Sequence, residues 1–167
     1  MRIFIIGYKS SGKTTIGKKL ANRLGYQFID LDQYIESKEG RTVPEIYVED
    51  GDKKFRAMEW KALNEIVHLD DIVVSTGGGV PCHCDNMNIM REHGAVVYLK
   101  LDSDILISRL KHATIDRPIV KGKTDEQLRE YVSGLRDRCE HHYLTATHII
   151  DAKNIKVDDI IKVLPIK

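Results

Sequence analysis

Cysteine is scarce in this chain: there are three among 167 residues, and two of them, Cys82 and Cys84, are separated by a single position. Such usage makes no disulfide framework and excludes the stapled scaffolds of small secreted proteins, which fits a reducing compartment. Long apolar runs are missing too. No stretch approaches the ~18 consecutive apolar residues of a membrane helix, and Met1-Arg2-Ile3 leads directly into a strand-like run with no signal-peptide pattern. A soluble, cytoplasmic protein with no membrane partner is expected. An excess of one charge is likewise absent, because 26 Lys and Arg face 25 Asp and Glu. The surface therefore lacks the basic bias on which non-specific nucleic-acid binding draws, and neither DNA nor RNA is an expected partner. No internal repeat, low-complexity tract or linker divides the chain. At this length the expectation is one domain over residues 1–167, acting as a monomer.

What the chain does have is an alternation of two periodicities. Ile3-Phe4-Ile5-Ile6 is apolar without a break, the pattern of a strand buried on both faces. Residues 13–24 carry helical spacing that stops at Gly25, and Gln27-Phe28-Ile29 is a short second strand running into Asp30-Leu31-Asp32. Further strand-like runs stand at 72–74, 95–99 and 148–150. Between them lie helical stretches at about 32–38, 52–69, 85–93, 103–111, 125–144 and 157–164. Strands alternating with helices give an α/β class with a five-stranded parallel sheet flanked by helices.

The first strand ends in Gly7-x4-Gly12-Lys13-Thr14, and a helix opens directly behind it. That is the setting a phosphate-binding P-loop requires, and it makes the fold a three-layer P-loop NTPase. Gly7, Ser10, Ser11 and Gly12 let the backbone N–H groups turn inward towards phosphate oxygens. Lys13 reaches the β- and γ-phosphates, the Thr14 hydroxyl ligates Mg²⁺, and Thr15 stands at the positive end of the helix. ATP and Mg²⁺ are the expected cofactors. A glycine-rich turn without function is the plainer reading, and the strand before it and the helix after it argue against that.

GTP switch proteins would add Asp-x-x-Gly and Asn-Lys-x-Asp, and neither spacing occurs. The second strand offers Asp30 and Asp32 instead, at the sheet edge where ligands of parallel sheets bind. One carboxylate suits the metal or its water shell, and the other suits an acceptor hydroxyl as base or orienter. For Asp32 a helix cap is an equally open reading. Ser75-Thr76-Gly77-Gly78-Gly79 follows the third strand, where three glycines allow close approach of a ligand or simply form an awkward turn. Gly51-Asp52-Lys53-Lys54-Phe55-Arg56 supplies an arginine beside an aromatic wall. Ile115-Asp116-Arg117-Pro118-Ile119 lies in a polar loop between helices, long enough for a lid whose arginine neutralises a transferring phosphoryl group, although a solvated surface arginine is the commoner case.

In this order the pieces resemble the shikimate kinase family over nearly the whole chain: the P-loop at 7–15, the aspartates 30 and 32, the Gly-x-x-x-Phe-Arg element at 51–56, the triple glycine at 77–79, and Arg117-Pro118 in the lid. The resemblance implies transfer of the γ-phosphoryl group of ATP to the 3-hydroxyl of shikimate, on the route to chorismate and the aromatic amino acids. It implies a substrate-binding helical segment at about 32–60 and a mobile lid at about 111–123. It also implies Asp32, Lys13 and Arg117 as catalytic residues, with Asp32, Arg56, Gly78, Gly79, Arg138, Phe55 and Tyr47 around shikimate. By the same likeness, Arg109 and Arg117 meet the nucleotide, while Thr14 and, through water, Asp30 and Ser75 hold Mg²⁺. Arginine forks suit a planar carboxylate, so Arg56 and Arg138 fit an acidic substrate.

Two departures stand out. The family continues its late arginine as Arg-x-Pro-x-Tyr, whereas this chain reads Arg138-Cys139-Glu140-His141-His142-Tyr143, and Lys9 is a charge where the family has an uncharged residue. Cys82-His83-Cys84 is spaced too tightly for a structural zinc pair, and the adjacent His141 and His142 face different directions on a helix.

Overall fold

Ile3, Phe4, Ile5 and Ile6 have no solvent contact, and this unbroken apolar run makes β1 (Arg2–Ile6) the middle strand of the sheet. The computed structural model describes residues 1–112 and 122–166. Arg117 and the core of the expected lid lie outside them. Within the described residues β2 (Gln27–Asp30), β3 (Ile72–Ser75), β4 (Ala95–Lys100) and β5 (His148–Asp151) join β1 in the order β2-β3-β1-β4-β5. Every pairing is parallel. Ile5 lies opposite Ser75 on one side and Val97 on the other, and Asp30 lies opposite Ser75. The carboxyl ends of β1, β2 and β3 therefore come out together, at the edge where such sheets bind ligands.

Helices fill the crossovers, as parallel strands demand. They are α1 (Lys13–Leu24), α2 (Leu31–Glu39), α3 (Val43–Asp50), α4 (Asp52–Ile66), α5 (Asn86–His93), α6 (Ser103–Lys111), α7 (Asp125–Tyr143) and α8 (Val157–Ile161). Helix α1 has the expected bounds and stops at Gly25, which is left-handed at φ 70° and donates its N–H back to the last turn. Helix α3 lies inside the helical segment that the resemblance implied at about 32–60, although periodicity did not mark it as a separate helix. Its start signal is nonetheless local: Thr42 accepts from the Glu45 N–H, the Glu45 carboxylate returns the bond, and Pro44 sits in the first turn where no donor is lost. Helix α4 ends three residues before the expected 69, and α8 is shorter than its periodicity implied.

One correction concerns the cysteines. Cys82, in the short 3₁₀ turn Val80–Cys82, is bonded to Cys139 of α7, their Cα atoms 5.4 Å apart. No local pattern marks the pair, because 57 positions separate the two and only the crossover topology brings them together. Cys84 is exposed with a free thiol, and the His83 ring nitrogen Nδ1 lies 2.7 Å from the Gly79 carbonyl oxygen, so this triplet is spread over different partners.

Where α5 gives way to β4, Gly94 passes against the first strand. A Cβ there would lie 2.9 Å from both the carbonyl carbon and the Cβ of Arg2. Gly94→Ala should lower stability by about 1–3 kcal/mol through forced displacement of β1, read as a drop in the urea midpoint. An unchanged midpoint would mean that the Arg2 backbone gives way freely.

Candidate active site

The turn after β1 is shaped by glycine geometry and closed by a lysine. Gly7 at φ 156° packs so tightly that a Cβ would lie 2.7 Å from the Ser11 hydroxyl. Ser10 and Gly12 are both at positive φ, 66° and 91°, so successive N–H groups curl to one side. No side chain caps α1, which leaves its first-turn N–H groups for an anion. Ser11 is buried, and its hydroxyl has no hydrogen-bond partner among the described residues. An orphaned hydroxyl inside a ring of inward N–H groups fits a phosphate. Lys13 is buried and donates to the carbonyls of Gly7 (2.7 Å) and Tyr8 (2.8 Å). The Arg109 guanidinium donates to the Ser10 carbonyl at 3.2 Å and stands beside Gly12, while Thr15 is exposed in the first turn of α1.

Three oxygen-bearing side chains meet beside this turn. The Thr14 hydroxyl donates to Asp30 Oδ2 at 3.2 Å and lies 3.4 Å from the Ser75 hydroxyl. Asp30 uses its other oxygen to accept from the Gln33 N–H, so Asp30 is the cap of α2. The cap reading thus belongs to Asp30, and Asp32 sits inside the first turn of α2. Burial first and the Asp30 charge second push the Asp32 carboxyl above its ordinary value, with Lys13 and Lys9 pulling it back.

The glycine loop at 77–79 connects these groups to α4. A Cβ on Gly77 would lie 3.1 Å from Asp32 Oδ1 and 3.2 Å from Glu59 Oε2, and one on Gly79 would lie 2.7 Å from the Arg56 guanidinium carbon. Bare backbone is what allows both approaches. Gly78 faces the P-loop, its Cβ position 3.7 Å from the Lys9 amide nitrogen. Arg56 donates to Glu59 Oε1 at 2.6 Å, and its Nε lies 3.3 Å from Asp52. Its guanidinium carbon lies 5.5 Å from the Phe55 ring centre and 6.0 Å from that of Tyr47, and the two rings are 4.8 Å apart. Phe55 is buried, and the Tyr47 hydroxyl donates to Asp52.

The arrangement brings together Gly7, Lys13, Thr14, Asp30, Asp32, Ser75, the glycine loop, Arg56, Phe55 and Tyr47. It does not bring Arg138. That side chain is exposed on α7, and its guanidinium lies 3.3 Å from the Cβ position of Gly134, one turn back along its own helix. Sequence reasoning missed Glu59, which is only 1% exposed. The available signal was the i,i+3 spacing from Arg56 on one helix face.

Comparison with known proteins gives a consistent picture. The family model for shikimate kinase matches residues 9–165. A shikimate kinase of Bacteroides fragilis is 42% identical over 156 residues, covering 93% of this chain and 87% of its own length. The crystal structure of a shikimate kinase from Bacteroides thetaiotaomicron matches with a TM-score of 0.90 at 37% identity, covering 97% of this chain and 94% of that one. A shikimate kinase from Acinetobacter baumannii, in complex with shikimate, matches with a TM-score of 0.81 at 30% identity, over 96% and 88% of the two chains.

Glu59 gives the site a pH signature. Burial pushes its carboxyl up to about 7, against the pull of Arg56, whereas in the unfolded chain it ionises near the ordinary value of 4.5. Between those values the folded protein holds more protons than the unfolded one, so its stability falls as pH rises through the window. Urea midpoints at about pH 5 and about pH 8 should show this group costing on the order of 1–3 kcal/mol. Glu59→Gln should flatten the slope; parallel slopes in the two proteins would show that Glu59 ionises normally.

Proposed function

This chain belongs to the shikimate kinase family and is an ATP-dependent shikimate kinase, and we propose that Asp32 and Arg56 present the acceptor to a nucleotide seated on the P-loop. The observation that carries this reading is the glycine loop. One stretch of bare backbone touches Asp32 through Gly77, Arg56 through Gly79 and the P-loop through Gly78. An acid bearing a ring of hydroxyls, laid over that loop, meets a guanidinium fork at one end and a carboxylate at the other. Phe55 and Tyr47 form the apolar wall behind Arg56.

Asp32 accepts the proton of the 3-hydroxyl as its oxygen bonds to the γ-phosphorus and the bond to ADP breaks. Burial raises the Asp32 carboxyl above its ordinary value, which makes it a stronger base than a free carboxylate. Lys13 shifts from the carbonyls of Gly7 and Tyr8 to the β- and γ-phosphates, and Arg117 neutralises the phosphoryl group in transfer. Arg109, already against Ser10, packs on the adenine. The oxygens of Thr14, Asp30 and Ser75 suit a hard cation that keeps part of its water shell, so these are the residues that would hold Mg²⁺. When bound, Mg²⁺ supplies charge neutralisation to the phosphates. Arg56 carries the substrate carboxylate without Arg138, whose guanidinium lies against Gly134. A cytoplasmic setting suits a reaction that consumes ATP.

A coupled assay of ADP release, comparing shikimate, quinate, gluconate and no acceptor, should show turnover with shikimate alone. Turnover with gluconate instead would replace this substrate reading. In the same assay Asp32→Asn should lower kcat by about 100-fold or more while the ATP Kd stays within about threefold; an unchanged kcat removes Asp32 from the chemistry. Arg56→Lys should raise the KM for shikimate about tenfold or more, since an ammonium does not reproduce a bidentate fork. An unaltered KM would assign the carboxylate to another group.

A further inference from the structure

Beneath the two ligand loops lies a buried polar network that no step of the reaction uses. Tyr8, the second residue of the P-loop, donates to Glu140 Oε2 at 2.6 Å, and Tyr98 of β4 donates to the same carboxylate at 2.9 and 3.1 Å. The Tyr143 hydroxyl donates to the Gly78 carbonyl. Its ring stacks on Tyr98, centroids 4.9 Å apart and 18° from parallel, and meets the Tyr8 ring at 4.7 Å. Arg136 completes the surroundings, with its Nη1 nitrogen 3.8 Å from Glu140, its guanidinium carbon 5.5 Å from the Tyr8 ring centre and a bond donated to the Leu101 carbonyl. All three tyrosines are at most 5% exposed.

We propose that Glu140 is a positioning residue: by holding Tyr8 and Tyr98 it fixes the P-loop, and through the Tyr98–Tyr143 stack the Gly78 carbonyl, at the separation phosphoryl transfer requires. The proposal rests on the reading of these two loops as the ATP and shikimate sites. Register puts Tyr98 directly opposite Ile6, the last residue before Gly7, so the network stands under the root of the P-loop. Tyr8 gives its backbone carbonyl to Lys13 and its side chain to Glu140, which ties the catalytic lysine to the same carboxylate. Stability alone is a poor reason for such a cluster, because a buried carboxylate is costly to desolvate and packed apolar groups serve as well. A single acceptor shared by two phenols does something apolar groups do not: it sets direction and distance. Both phenols are held protonated, and therefore donating, by burial and by the Glu140 charge.

The test uses Glu140→Leu, which removes the acceptor, Tyr8→Phe and the double variant, each read by steady-state kinetics and by amide hydrogen exchange. Glu140→Leu should lower kcat about tenfold or more while both KM values move less than about threefold. Tyr8→Phe should act in the same direction, and the double variant should lose no more than Glu140→Leu, since the Tyr8 bond is already lost with its acceptor. Exchange should quicken at residues 7–13 and at 77–79 in Glu140→Leu, at 7–13 alone in Tyr8→Phe, and nowhere in β3. Unchanged kcat, multiplying losses, unchanged exchange at either loop, or faster exchange across the sheet would each overturn the positioning role. Wild-type protein that ignores shikimate would overturn the substrate reading, and the exchange pattern would still decide for or against Glu140.

Discussion

Parallel pairing of β1 with β3 and β4 is the constraint on which the chemistry depends. Parallel strands finish at the same edge, and each must hand over to a crossover there. With β1 in the middle, the phosphate turn is set between the Asp30 and Ser75 ends on one flank and the Tyr98 end on the other. An exposed or amphipathic first strand would have gone to the rim of the sheet, and the P-loop would have lost one flank. The four consecutive buried residues from Ile3 to Ile6 forbid that, since each removes an apolar side chain from water for ~1.5–3 kcal/mol.

Charge at that edge is arranged as a balance rather than a surplus. Asp30, Asp32 and Glu59 stand with Lys13 and Arg56, and each carboxylate is committed differently. Asp30 is tied by the Thr14 hydroxyl and by the cap of α2. Glu59 is tied by Arg56, and it holds the guanidinium against Gly79. Asp32 has no such anchoring bond among the described residues, and burial beside Asp30 works against its ionised form. The same environment that destabilises that charge raises its basicity, as the role proposed for Asp32 requires.

Legibility in the sequence followed distance along the chain. The P-loop and its helix were readable because glycine, lysine and threonine act within nine consecutive residues, where local conformation dictates geometry. The parallel sheet and the placing of Asp30 beside the P-loop followed from the rules of parallel sheets, whereas Ser75 entered through the family resemblance and the strand order was not read. Helix α3 was covered only by the helical segment that the resemblance implied, although Thr42 and Glu45 form a local start signal and Pro44 fits the first turn. Cys82 with Cys139, and Tyr8 with Glu140 across 132 positions, had no local signal at all. Their partners exist only after the crossovers are drawn.

Helix α7 shows how one missing proline redistributes roles. A proline shortly after Arg138 would break the helix there; without it, α7 runs unbroken to Tyr143. Along an unbroken helix, Arg136, Glu140 and Tyr143 fall on one stripe at spacings of four and three, and they meet the P-loop, the end of β4 and the glycine loop. Arg138, two residues from either neighbour on that stripe, is turned by about 200° to the opposite side. The periodicity that delivers Glu140 and Tyr143 inward is therefore what carries Arg138 outward. The guanidinium that does stand beside the glycine loop is that of Arg56, which α4 holds in a fixed orientation through Glu59.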